Sequence, residues 1–140
     1  IQLYETVLLQ ADMVLLIAAL HDYFKLLALS EKSRELGLQV LLEVHDQEEL
    51  QKAKDLPVKM LGVNNRNLKD FSVDVHRSLD LAEHIPSSFI KVSESGIKNR
   101  EDIQLLKEHG YNAVLVGEAL VTAPDPGEKL RELLGHQNVN

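Results

Sequence analysis

Apolar residues fall along this chain in short blocks, separated by stretches in which they recur every three or four positions. Met13 to Ala18, Leu38 to Val44, Val58 to Val63, Phe89 to Val92 and Ala113 to Val116 have the length and near-continuous hydrophobicity of buried parallel strands. Between them the spacing turns helical. Gln2 to Gln10 reads as the end of a helix, with Leu3, Tyr4, Val7 and Leu8 recurring at helical intervals. Asp22 opens a helix that runs to about Glu35, with Phe24, Leu27, Ala28 and Leu36 expected on its apolar side and Gly37 as its stop. Asp46 caps the next, with Glu49 completing a capping box, and that helix ends before Pro57. Asp74 to His84 is helical and closed by Pro86. Asn99 and Asp102 form a second box at the head of Arg100 to His109, which Gly110 stops. Ala119 to Val121 is a short helical run. Asp125-Pro126 gives an N-cap followed by proline at the first helical position, and the last helix reaches about Leu134, before Gly135. The tail from His136 to Asn140 is expected to fray.

Five strands alternating with helices define a βα repeat on a parallel sheet, one domain or part of one. Periodicity does not separate a doubly wound sheet from a segment of a barrel. No G-x-G-x-x-G follows the first strand, which argues against dinucleotide binding.

Charge narrows the partners. The formal net charge is −7 and the basic residues are scattered, so neither nucleic acid nor an anionic membrane is an expected partner. No apolar run approaches the ~20 residues of a membrane span. There is no cysteine, which removes disulfides and thiolate chemistry and fits a reducing, cytoplasmic setting. The six histidines include no pair at metal-ligand spacing, so no metal is expected and solvated or capping roles are. The first residue is Ile1 rather than Met, so residues in front of it are expected.

In a parallel βα sheet the chemistry gathers at the C-terminal ends of the strands. Glu43 interrupts the apolar run Val40-Leu41-Leu42-Glu43-Val44, and a buried carboxylate costs several kcal/mol unless paired. Either it is paired with a neighbouring loop or helix N-terminus, or it is a catalytic acid or base. Asn64 could orient a substrate group or could simply make an Asx-turn. Arg66 could grip a carboxylate through two parallel hydrogen bonds or lie free on the surface. Two successive strand–glycine turns, Ser93-Glu94-Ser95-Gly96 and Gly117-Glu118, suit a phosphate held by backbone N–H groups. In (β/α)8 barrels the loops after strands seven and eight build such a site. Glu118 fits beside an anion only if its backbone alone faces it.

The stretches VLLEVHD (40–46), LGVNNRNLKDF (61–71), VSESGIKNRED (92–102) and VLVGEAL (114–120), preceded by ADMVLLIAAL (11–20), resemble the indole-3-glycerol-phosphate synthase family over nearly the whole chain. The resemblance implies the C-terminal part, strands four to eight, of a (β/α)8 TIM barrel of tryptophan biosynthesis: a lyase that closes the ring of 1-(2-carboxyphenylamino)-1-deoxyribulose 5-phosphate with loss of CO2 and water. It implies no cofactor and no metal. It makes Glu43 and Asn64 catalytic, the first in proton transfer and the second beside the reacting ring. Arg66 would meet the substrate carboxylate, Ser95, Gly96, Gly117 and Glu118 would belong to the phosphate loops, Leu115 would line the pocket, and Glu94 would help order it. The family's strand-one glutamate and lysine and its strand-three lysine have no counterpart here, and Gln10 stands where the family usually has glycine. The 140 residues alone are therefore expected to be inactive and to self-associate through open sheet edges. Two alternatives remain: a non-catalytic partial barrel that binds phosphate esters, and a related phosphate-binding barrel such as phosphoribosylanthranilate isomerase.

Overall fold

The computed structural model describes residues 1–136. Of the tail expected to fray, His136 alone falls inside this range, and its N–H donates to Arg131 O (2.9 Å); 137–140 lie outside the described residues. The elements are α1 (Gln2–Leu8), β1 (Met13–Ile17), a 3-10 turn (Ala18–Leu20), α2 (Tyr23–Glu35), β2 (Gln39–Val44), α3 (Gln47–Ala53), β3 (Met60–Asn64), α4 (His76–Ala82), β4 (Ile90–Glu94), α5 (Arg100–Glu108), β5 (Ala113–Leu115), α6 (Glu118–Val121) and α7 (Pro126–Leu134). All five strands pair in parallel, in the order β1-β2-β3-β4-β5. The sheet is open, with β1 and β5 at its edges. It is the α/β architecture of a partial (β/α)8 barrel.

The register sorts the strand residues onto two faces. Ile17, Glu43, Gly62, Val92 and Ala113 form one row across the sheet; Asn64, Glu94 and Leu115 form the row above it. Because side chains alternate along a strand, both rows share a face. The intervening residues Val40, Leu42, Val44, Leu61 and Val63 point to the other face and pack with Leu26, Leu50, Leu81, Leu106 and Leu133 from the helices. That helix-covered side is the hydrophobic core. Among the described residues no helical layer covers the first face, and Met13, Leu15, Ile90 and Leu115 are exposed on it.

Capping chemistry fixes the helix starts. The side chains of Asp22, Asp46, Asn99 and Asp125 each accept a backbone N–H three residues on, and Asn99 with Asp102 forms a full capping box. The box expected at α3 is different. Glu49 Oε2 accepts from His45 N–H (2.8 Å), one residue ahead of the cap, rather than from Asp46. The apolar side of α2 also differs from expectation: Phe24 is 79% exposed and Ala28 is exposed, while Leu26, Ser30 and Ser33 are buried. Small serine side chains let this helix approach the sheet, and Phe24 turns outward to stack edge-on with Tyr23.

Helix α1 ends at Leu8, short of the expected Gln10, because Gln10 adopts a left-handed backbone with φ 58°. That conformation costs a residue bearing a Cβ roughly 1–2 kcal/mol, whereas glycine adopts it freely but loses up to about 1 kcal/mol of chain entropy. Gln10→Gly should therefore raise stability by about 0.5–1 kcal/mol. The check is a rise in the urea midpoint at unchanged slope; a fall would mean that no strain resides there.

Candidate active site

The residues singled out by chemistry converge on one end of the open face. Glu43 is the penultimate residue of β2, Asn64 ends β3, Glu94 ends β4, and the turns Ser95-Gly96 and Gly117-Glu118 continue from β4 and β5. Parallel strands put all these ends on the same side. Glu43 and Asn64 thus come from adjacent strands and share the uncovered face.

Glu43 and Glu94 are both 3% exposed. Oε1 of each lacks a hydrogen-bond partner. Burial and the neighbouring Glu43 carboxyl push Glu94 up to about 7. Behind Glu43 sits His45, its Nε2 3.4 Å from Glu43 Oε1 and its Nδ1 3.2 Å from Glu49 Oε2. His45 is therefore neither solvated nor a simple cap. It is the middle of a Glu49–His45–Glu43 line running from α3 to the site. Its place two residues after Glu43, just past the end of β2, carried no sign of a partner on α3.

The two asparagines after β3 have different surroundings. Asn64 Oδ1 accepts from Arg66 N–H (2.9 Å), the Asx-turn, and its side-chain amide donates to no group among the described residues. Asn65, which the sequence places among the polar residues at the strand ends but gives no role of its own, is fully buried and uses all its hydrogen-bonding capacity. Its Nδ2 donates to Ser93 Oγ (3.0 Å) and Ser95 O (3.0 Å), and its Oδ1 accepts from Ser78 N–H (3.1 Å) and Ser78 Oγ (2.8 Å). Tyr111 hydroxyl donates to Ser78 O (2.7 Å), tying α5's end into the same network. Asn65 thereby fastens the β3 end to the Ser95 turn.

A cavity of ≈ 190 Å³ lies between the two turns, with Arg66, Ser95, Gly96, Leu115, Gly117 and Glu118 on its wall. Ser95 (φ 66°) and Gly96 (φ 79°) are consecutive left-handed residues that turn the chain sharply as it leaves β4. Gly96 has a second constraint: a Cβ there would come 2.5 Å from Val73 Cγ1. Gly117, at φ −120°, needs no left-handed freedom; it is the residue ahead of α6. The Arg66 guanidinium does not lie free. Its Nη2 pairs with Glu118 Oε2 at 2.5 Å, so the Glu118 side chain turns to Arg66. Among the described residues no group of three acidic or histidine side chains could hold a metal ion, and no helix is long and apolar enough to cross a membrane.

Residues 1–133 match the family described as indole-3-glycerol phosphate synthase. The chain belongs to the indole-3-glycerol phosphate synthase family. The indole-3-glycerol phosphate synthase of Legionella pneumophila (strain Paris) is 43% identical over 133 residues, covering 95% of this chain and 52% of that protein. The family member from Koribacter versatilis is 48% identical over 125 residues, covering 89% of this chain and 48% of its own length. The chain thus spans about half the length of the curated relatives it matches. Among solved structures, 3-hexulose-6-phosphate synthase from Salmonella typhimurium superposes with a TM-score of 0.75 at 20% identity, over 96% of this chain and 68% of that one. A thiamine phosphate pyrophosphorylase from Pyrococcus furiosus gives 0.72 at 18% identity, over 96% and 63%. These two likenesses carry the fold alone.

Proposed function

We propose that this chain supplies the Glu43, Asn64 and phosphate-loop part of an indole-3-glycerol phosphate synthase active site. In that reaction 1-(2-carboxyphenylamino)-1-deoxyribulose 5-phosphate closes its ring and loses CO2 and water. The observation that carries the reading is the sharing of one face and one strand end by Glu43, Asn64 and the two turns around the Ser95–Gly117 cavity. Glu43 moves a proton during ring closure and dehydration. Asn64, its Oδ1 held by Arg66 N–H, offers its side-chain amide to the substrate ring. Arg66 exchanges Glu118 for the substrate carboxylate, to which a guanidinium can donate twice in parallel. Backbone N–H groups of Ser95, Gly96, Gly117 and Glu118 receive the phosphate, with Leu115 against the apolar part of the substrate and Glu94 ordering the pocket. The substrate is a small phosphorylated molecule, and none of these steps calls on a cofactor. A cytoplasmic setting fits a chain without cysteine.

A second reading, phosphate-ester binding without turnover, is favoured by the open sheet, whose uncovered face leaves Leu15 and Leu115 exposed. A chimera separates the two. Residues 1–133 replace the matching segment of the Legionella pneumophila relative, and indole-3-glycerol phosphate formation is followed by fluorescence. Turnover within tenfold of that relative is expected from the chimera, and near-background turnover from the 140 residues alone. A folded chimera that binds the substrate without converting it overturns the catalytic reading. The same preparation of the isolated chain is expected to elute as oligomers, since open edges and an exposed apolar face invite association; a monodisperse monomer would contradict this.

A further inference from the structure

The Glu94 side chain occupies space that any residue but glycine at position 62 would fill. Gly62 sits on β3 between Glu43 of β2 and Val92 of β4. A Cβ built there would overlap Glu94 Oε1, and would stand 2.9 Å from Glu94 Cδ and 3.3 Å from Leu41 Cδ1. Glu94 itself belongs to the row above, opposite Asn64. Its side chain therefore leans back and sideways over the bare backbone of Gly62, toward Glu43. Both carboxyls are buried, and each keeps one oxygen without a donor.

We propose that Gly62 is a positioning residue: its missing side chain is the seat that lets Glu94 cross β3, so that protonated Glu94 donates a hydrogen bond to the Glu43 carboxylate. One proton between the two orphaned oxygens satisfies both, where two ionised carboxylates would leave both unpaired in a site shielded from water. From β1 the neighbour of Glu43 is Ile17, from β5 the neighbour of Glu94 is Leu115, and β3 presents only Gly62 and Asn64. His45 Nε2, itself without a hydrogen-bond partner, stands 3.4 Å from the same Glu43 Oε1, longer than an ordinary N–H···O hydrogen bond, and its Nδ1 faces Glu49 of α3. The raised titration of Glu94, to about 7, has the sign this arrangement requires. The inference rests on the proposed function only for what the pair does; its geometry and its proton are read without substrate.

The test is carboxyl-carbon NMR of the 140-residue chain labelled at glutamate, titrated from pH 3 to 9, together with urea unfolding. Wild-type Glu94 should titrate near 7. In Glu43→Gln it should move down by at least one unit. In Gly62→Ala the new methyl should expel the Glu94 carboxyl, returning its titration to the ordinary carboxylate range. If Gly62→Ala does not fold, the double variant Gly62→Ala with Glu94→Ala should, because the clash is with that one side chain. Wild-type Glu94 titrating as an ordinary carboxylate, a folded Gly62→Ala with unmoved Glu94, or Gly62→Ala equally damaging with and without the Glu94 side chain would each overturn the proposal. A chimera without turnover in which the coupled titration persists defeats the proposed function and leaves the pair standing.

Discussion

In the active chimera, Glu43→Gln should lower kcat by roughly 10²–10⁴-fold while KM changes by less than about threefold, the range of a lost proton-transfer group. Glutamine keeps the shape and burial of the side chain but can no longer take up or release the proton. Glu43 is 3% exposed, so bulk water has poor access to substitute for it. The separation of kcat from KM carries the conclusion. A residue that only shaped the pocket would weaken binding and leave the chemical step intact. Steady-state kinetics across pH 5 to 9 make the distinction, and an unchanged kcat would assign Glu43 to structure.

The largest loss of stability is expected one residue from the site. Asn65→Ala should cost about 3–5 kcal/mol, because it removes an amide that joins four buried partners and leaves several of them unpaired at about 1–3 kcal/mol each. Against a total domain stability of about 5–15 kcal/mol, this brings the chain near unfolding. Asn65→Asp should be nearly as harmful, since a carboxylate has no hydrogens to give Ser93 Oγ and Ser95 O. Asn64→Ala, by contrast, removes a single Asx-turn bond and should cost about 1 kcal/mol or less. Urea unfolding of the three variants gives the comparison directly. A loss under 1 kcal/mol for Asn65→Ala would show that the network does not hold the β3 and β4 ends together.

The contrast between these neighbours shows where sequence reading reaches its limit. Both are asparagines in the run Asn64-Asn65-Arg66-Asn67, and their chemistry is identical on paper. Only the register of β3 decides that one looks into the open face and the next into the packed junction between β3, β4 and α4. The strands themselves were legible because buried parallel strands are continuous apolar runs, and four helix starts were legible because their caps act within three residues. Glu43 was legible because a carboxylate inside such a run is costly. His45, Gly62 and the outward turn of Phe24 were not, since each depends on what packs across the sheet or beneath a helix. Glu49 shows the same limit at short range: its spacing from Asp46 is that of a capping box, yet its carboxylate serves His45.

The order of the strands bears on how such a chain is assembled. Among the described residues, every strand hydrogen-bonds only to the strands before and after it in sequence. Within these five strands no ladder waits for a distant segment, so each loop closed in forming this sheet is one βα unit long, and the entropy of closing it stays small and nearly constant. Synthesis from the N-terminus can then add units to a sheet that is already paired, each new strand finding its template in place. The same arrangement makes the turns between units, such as the one at Gly110, natural seams. A chain parted at a seam loses one ladder and keeps the rest, and two pieces made separately need only re-form that ladder to rebuild the sheet.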